Sequence, residues 1–366
     1  RESDPNENRV ALVPETVERL VKAGHELFIE VDAGTAAGFP DAAYAEAGAK
    51  TASATEIAGS VDIFVHVQPP TAEEVGSLKK GSIVISTLNA RTNATAVASL
   101  ASAGATALAM ELVPRIARAQ RMDVLSSQAS IAGYKAALLA ANSLGKYLPM
   151  MMTAAGTIPP AKILVLGAGV AGLQAIATAR RLGAVVEAFD VRAAAGEQVE
   201  SLGAKFIQPP AAEDAEGAGG YARAQTEDEQ VAQREFLKGH IADADAVITT
   251  AAIPGRPAPL LMTEDMVDVM KPGSVVIDLA AESGGNVAGT VAGEIINKNG
   301  VMINGPINVS SSMPFHASLL YSRNVMALLD LIIDRKEGTL TLDFEDEVID
   351  TMCVAHEGEA RHGLGE

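Results

Sequence analysis

Tryptophan is absent from the sequence, aromatic residues make up only 4%, and cysteine occurs once, at Cys353. A single thiol excludes an internal disulfide framework and fits a reducing compartment. Positive charge is also scarce: 28 Lys and Arg face 46 Asp and Glu, for a net charge of −18. That argues against nucleic acid or anionic lipid as a partner, since both are held through Lys and Arg. No uninterrupted apolar run approaches the ~20 residues of a membrane span, and no charged-then-apolar signal peptide opens the chain. His25, His240, His316, His356 and His362 form no metal-spaced pair with Cys353, so no metal is expected. There is no solenoid-period repeat and no low-complexity tract. The balance is that of a soluble, cytoplasmic protein.

What the chain does have is 48% apolar residues and length enough for two domains. Its most informative stretch is Lys162 to Arg192, KILVLGAGVAGLQAIATARRLGAVVEAFDVR. A short apolar run meets Gly167, Gly169 and Gly172, then a small-residue segment of helical period, then a second run ending at Asp190. This is strand, glycine turn, helix and strand, with the acid 18 positions beyond the last glycine. Gly167 permits the tight turn, Gly169 lets backbone approach a pyrophosphate, and Gly172 allows close helix–strand packing. The helix N-terminus offers N–H groups to the phosphates, and Asp190 can hold a ribose 2′-hydroxyl. A carboxylate there repels a 2′-phosphate and favours NAD(H) over NADP(H); Arg192 works against that preference, since an Arg nearby can receive such a phosphate, but the carboxylate at the strand tip should dominate.

The rest of the chain alternates. Helices are expected after Pro14, over 41–60, over Ala72–Lys80 and over 93–103. Strands are expected at Leu27–Val31, Val61–Val67, Ile83–Leu88 and Thr106–Met110. A further strand before residue 1 is expected of such a fold. The alternation implies a wound parallel sheet without its own glycine fingerprint. Glu111–Asp123 is too polar and Pro-interrupted for a strand. A long helix is expected over 124–146, with Ile131, Tyr134 and Leu138 on one side. The nucleotide domain follows, with strands at Ala246–Thr250, Ser274–Leu279 and Val301–Asn304, a loop over 211–224 and a helix over 227–239. A second long helix over 315–333 returns to the first domain, and LTLDFEDEVIDT (340–351) alternates like an edge strand and its partner. The predicted fold is α/β: two Rossmann-like doubly wound parallel-sheet domains joined by long helices, with the cofactor in the cleft. Residues 1–123 plus 315–366 form a discontinuous first domain, 124–146 the bridging helix and 147–314 the NAD(H) domain.

Four segments together carry a resemblance: ENRVALVPETVERL (7–20), RAQRMDVLSSQASIAGYKA (118–136), PMMMTAAGTIPPAKILVLGAGVAGLQAIATARRLGA (149–184) and PGSVVIDLAAESGGN (272–286). They are similar to the NAD(H)-binding component of proton-translocating nicotinamide nucleotide transhydrogenase, a close cousin of alanine dehydrogenase. The RxxxxQxxD loop and the triple-Met segment are the most specific features of the likeness. It implies that Arg115, Gln120, Asp123 and Ser126, with Arg121 and Met122 in the same loop, meet the nicotinamide end of the cofactor. Arg115, Gln120 and Asp123 then form the catalytic loop: Gln120 and Asp123 fix the nicotinamide and Arg115 orients it. Gly167, Gly169, Val170 and Gly172 would hold the pyrophosphate, and Asp190, Val191 and Arg192 the adenosine ribose. Gly220, Gln233 and Ala252 fall where the family lines the adenine and central pocket. The likeness further implies an oxidoreductase of Re/Si specificity, active only with its partners. Those are an NADP(H)-binding component and a membrane proton-channel component, with this component a homodimer, cytoplasmic and peripheral to the inner membrane.

The departures discriminate between the cousins. Alanine dehydrogenases carry a lysine in a KVKEP-like motif and a histidine one strand later. Here HVQPP puts Gln68 in the lysine's place, and ISTLNAR puts Thr87 near the histidine's. Neither can move a proton at neutral pH. Arg9, which would face a substrate carboxylate in the dehydrogenases, persists and reads as structural support. Asp123 could equally be a helix N-cap, Met150, Met151 and Met152 core or domain-cleft filler, and His66 a packed histidine. Two alternatives stay open: an amino-acid dehydrogenase of the alanine type, and a catalytically silent NAD-binding module.

Overall fold

The computed structural model describes residues 1–209, 226–253, 255–334 and 338–361. The chain forms two compact units, 1–128 with 310–366, and 129–309.

In the first unit, three parallel strands, Ile63–Val65, Ile83–Ser86 and Thr106–Ala109, lie side by side. Ile83–Ser86 and Thr106–Ala109 are buried at every position, as expected where a parallel sheet is covered on both faces. Ile85, Leu108 and Met110 pack with Tyr321, Val325 and Leu328 of the helix Pro314–Ile332. Phe64, Val84, Leu88, Val97 and Leu100 fill a second cluster. The expected helix over 41–60 is instead the helix Asp41–Glu46, the strand Lys50–Ala52 and the helix Ala54–Ser60. A Ser53–Glu56 capping box starts the last of these, and Lys50–Ala52 pairs in parallel with Phe28–Glu30. The tail also differs. Residues Glu347–Met352 are helical, capped by Asp346, and the edge hairpin lies further on, at Cys353–His356 and Glu359–Ala360. It joins the sheet antiparallel to Thr106–Ala109.

The second unit holds a seven-stranded sheet. Its spatial order is Lys205–Phe206, Val185–Phe189, Lys162–Leu166, Ala246–Thr249, Val275–Asp278, Val301–Asn304 and Ile295–Lys298. The first six are parallel, and the order reverses between Lys162–Leu166 and Ala246–Thr249. In open α/β sheets that reversal is where ligands bind, beyond the carboxyl ends of the strands. Ile295–Lys298 is an additional antiparallel edge strand. Its two-residue turn is Asn299–Gly300, both at positive φ, a strong hairpin signal in the sequence.

The long helix runs from Val124 to Ser143, and the boundary between the units falls within it. Its buried stripe in the second unit is Ala136, Ala137 and Ala140, followed by Leu144. Tyr134, expected on the packed side, is 37% exposed. Met151–Thr153 and Gly156–Ile158 form a two-stranded hairpin. Met150 and Met152 are 59% and 78% exposed, so they do not fill a core. No helix among the described residues is long and apolar enough to cross a membrane.

Candidate functional site

In the second unit the glycine turn is shaped by contacts that exclude side chains. Gly167 sits at φ +102°, and a Cβ there would lie 2.5 Å from Thr250 Oγ1. A Cβ on Gly172 would lie 1.8 Å from the Gly167 carbonyl oxygen. Gly169 starts the helix Val170–Arg181, and no side chain caps it. The first-turn N–H groups and the partial positive charge of the helix end therefore face outward, as an anion site requires. The Thr250 hydroxyl, from the neighbouring strand end, donates to the Gly167 carbonyl at 3.1 Å.

Asp190 is buried at the end of Val185–Phe189 and is tied to this turn. Ala168 N–H donates to its Oδ2 at 2.7 Å. Arg192 donates through its backbone N–H and Nε to Oδ1, both at 2.9 Å, and through Nη2 to Oδ2 at 2.8 Å. Burial alone would raise the carboxyl's pKa, but these bonds outweigh it and hold it below the ordinary value, so Asp190 is ionised. Val191, between them, is half-buried.

Ala252 is exposed on the segment that leaves Ala246–Thr249. Asn286 fixes that segment: it accepts from Ala251 N–H at 3.1 Å and donates to the Ala251 and Pro259 carbonyls, each at 2.8 Å. Asn286 is itself fixed by donating its N–H to the buried Asp278 at 2.8 Å. Gln233, on the helix Glu227–Asp243, is 5% exposed, and its Oε1 has no hydrogen-bond partner among the described residues. A buried acceptor without a partner is costly and calls for a donor. Gly220 lies outside the described residues.

In the first unit the polar loop after Thr106–Ala109 is built from two short 3-10 turns, Met110–Leu112 and Ala117–Met122. Ala119 and Met122 point into the core, so Met122 anchors the loop through its side chain. Arg115, Gln120 and Arg121 are exposed. Asp123 accepts from Ser126 N–H at 2.9 Å and Ser126 Oγ at 2.5 Å, which makes it the N-cap of the long helix. Asn324 donates to the Arg121 carbonyl at 2.7 Å, and Arg118 forks onto Asp346 at 2.7 and 2.8 Å. The sequence gives no sign of Asn324, because its partner is 203 residues away.

Arg9 is buried and bonded to Glu7 through Nε at 2.7 Å and Nη2 at 2.6 Å, with Nη1 on Gln128 at 2.9 Å. Gln68 donates to the same Glu7 at 2.8 Å. Thr87 faces the Tyr321 hydroxyl at 3.5 Å. His66 is buried, with Nδ1 3.6 Å from Glu2 and Nε2 3.3 Å from Glu74. Burial would lower its pKa, but the two carboxylates outweigh that and raise it to about 9. Among the described residues no cluster of His, Cys, Asp and Glu is arranged to hold a metal.

Two domain families match this chain: the alanine dehydrogenase/PNT N-terminal domain over residues 1–132 and the alanine dehydrogenase/PNT C-terminal domain over 136–363. The chain belongs to the alanine dehydrogenase/PNT family. Within it, an NAD(P) transhydrogenase subunit alpha polypeptide of Rhodospirillum rubrum is 48% identical over 99% of this chain and 96% of its own length. A transhydrogenase structure from Sinorhizobium meliloti superposes with a TM-score of 0.87 at 46% identity, covering 99% of this chain and 97% of that one. An L-alanine dehydrogenase structure reaches 0.81 at 26% identity, over 99% and 95%. The alanine dehydrogenase/PNT fold is thus common to both branches, and the chain's similarity is greater to the transhydrogenase branch.

Proposed function

We propose that the chain is the NAD(H)-binding component of a proton-translocating transhydrogenase, passing hydride directly between NAD(H) held here and NADP(H) held on a separate component. The observation that carries the dinucleotide assignment is the glycine turn, where any Cβ at Gly167 or Gly172 would collide with its neighbours. In the second unit, Gly167, Gly169, Val170 and Gly172 hold the pyrophosphate, and Asp190, Val191 and Arg192, the last through its backbone, the adenosine ribose. Gln233 and Ala252 serve the adenine and central region, and the buried Gln233 Oε1, without a partner among the described residues, supports an acceptor role there. In the first unit, Arg115, Gln120, Arg121, Met122, Asp123 and Ser126 hold the nicotinamide end.

A bound nicotinamide supplies the hydride itself, and transfer to a second nicotinamide protonates no substrate. The chain's residues therefore need only orient the ring and exclude water. The position that carries lysine in alanine dehydrogenases is Gln68 here, which cannot titrate and is committed to Glu7. That favours transhydrogenation over an alanine-type dehydrogenase. The proton path and the NADP(H) site belong to partner components, and the chain is cytoplasmic and peripheral to the inner membrane through them. A homodimer is supported by the exposed apolar hairpin around Met152.

The test follows NADH oxidation by the chain alone, with an NADP-loaded transhydrogenase partner component, and with pyruvate plus ammonium. Oxidation that requires the partner is the expected result. Turnover of pyruvate and ammonium by the chain alone would establish the dehydrogenase instead. NADH binding with no oxidation in any arm would leave a silent binding module.

A further inference from the structure

An ionised carboxylate offers about four lone-pair sites. Around Asp190 four N–H donors of the protein already occupy them: Ala168 N–H and Arg192 Nη2 on Oδ2, Arg192 N–H and Nε on Oδ1. The Asp190 side chain is 7% exposed and that of Arg192 20%, so water does not substitute freely for these bonds. The backbone donors, Ala168 and Arg192 N–H, are fixed by the turn and leave one site on each oxygen. Both of those remaining sites are taken by the Arg192 guanidinium.

Resting on the nucleotide reading above, we infer that the Arg192 side chain is a competitor of the ribose at Asp190, so that NAD(H) enters only by displacing its guanidinium, and that Arg192 thereby sets the selectivity between NAD(H) and NADP(H). The paired state opposes both cofactors differently. A ribose diol must break two charge-assisted bonds before it can donate to Asp190. A 2′-phosphate meets a neutralised carboxylate and a guanidinium that can turn to it, so the repulsion expected of a bare Asp is blunted. The residue that steadies Asp190 therefore weakens its discrimination.

Loss of the guanidinium has opposite effects on the two cofactors. Arg192→Ala leaves both backbone donors in place and frees one acceptor on each oxygen. NADH binding tightens by roughly three- to tenfold, the worth of one or two ordinary net hydrogen bonds. NADPH binding weakens, so the ratio of the two dissociation constants widens. Arg192→Lys, which keeps the charge but not the planar fork, falls between them. The dissociation constants of NADH and NADPH are read by fluorescence titration at two salt concentrations. Arg192→Gln serves as a second truncation, and far-UV circular dichroism confirms that each variant is folded. Tighter NADH with a wider ratio, and loss of the salt dependence specific to NADPH, supports the inference. Weaker or unchanged NADH binding in folded Arg192→Ala and Arg192→Gln overturns it, because a residue that merely steadies Asp190 would behave in that way. If Asp190→Ala and Gly172→Val both bind NADH as tightly as the unaltered chain, the nucleotide site itself is misassigned and the inference falls with it.

Discussion

Gly133 sits inside the long helix, where helix propensity alone says that alanine should stabilise by about 1 kcal/mol. Its surroundings say the opposite. A Cβ there would lie 2.0 Å from the Ala171 carbonyl oxygen, 2.7 Å from its carbon and 2.9 Å from its Cα. All three are backbone atoms of the helix that opens the glycine turn, so no side chain can rotate out of the way. Restoring ordinary contact at about 3.4 Å means parting the two helices by roughly 1.4 Å at this crossing. Overpacking of this kind costs about 1–3 kcal/mol. With only backbone to yield, the upper end applies, and subtracting the propensity gain leaves Gly133→Ala destabilising by about 2 kcal/mol. Because Ala171 lies between Gly169 and Gly172, the displacement also reaches the turn, and NADH affinity should fall by about tenfold, equivalent to 1.4 kcal/mol. Gly239→Ala is the matched control. It is helical and exposed, with nothing within 4 Å of its would-be Cβ, so the same substitution should stabilise by propensity alone. Urea midpoints by far-UV circular dichroism and NADH titrations read both effects. A rise in midpoint for both variants, with NADH affinity unchanged in Gly133→Ala, would refute the reasoning.

Further outcomes are expected at other sites. His66 is raised from 6.5 to about 9, so its stabilising contribution is full below pH 6.5 and is lost as pH rises toward 9; urea midpoints between pH 6 and 9.5 should fall in the unaltered chain and show a shallower slope in His66→Gln. Glu74 is lowered to about 2, the His66 and Thr71 bonds outweighing its burial, so its own contribution holds above pH 4.5 and fades only on acidification toward pH 2. Asp123→Ala removes the cap of the long helix and should cost about 1 kcal/mol in unfolding as well as slow hydride transfer; Gln120→Ala, at an exposed position, should slow transfer with the midpoint unmoved, and a parallel loss of stability would argue that Gln120 is structural. Met152→Asp places a charge on the exposed hairpin, and sedimentation should show a dimer turning to monomer; a chain that sediments identically with and without the charge would remove the hairpin from the interface.

Sequence reading and structure diverge at identifiable places. The 41–60 stretch reads as one helix, yet it contains a strand, because Lys50–Ala52 is defined by pairing with Phe28–Glu30, some 22 residues away along the register (Phe28 to Lys50). The tail hairpin is present but lies beyond the alternating stretch that suggests it, since Asp346 caps a helix there. The missed edge strand at Ile295–Lys298 is legible in its Asn-Gly turn. Met150 and Met152 read as core or cleft filler because Met packs adaptably, and no local pattern marks the exposed ones. The domain families and the full-length similarity to transhydrogenase subunits agree with what the four motif segments suggest.

The sequence by itself determined the features whose causes are local. These are the strand–glycine–helix–strand unit ending at Asp190, the polar Arg115–Asp123 loop, the lack of a titratable group at Gln68 and Thr87, and the long helix from Val124. Each rests on backbone conformation, periodicity or side-chain chemistry within a few residues. Tertiary structure alone decided the rest. It set Asn286 on the Ala252 segment, Asn324 on the Arg121 carbonyl, Glu7 between Arg9 and Gln68, and Ala171 against Gly133. It also decided that Arg192 fills the oxygens Asp190 would offer a ribose. Hydrogen-bond capacity and steric room are properties of what surrounds a residue in space, and one-dimensional spacing carries no record of that.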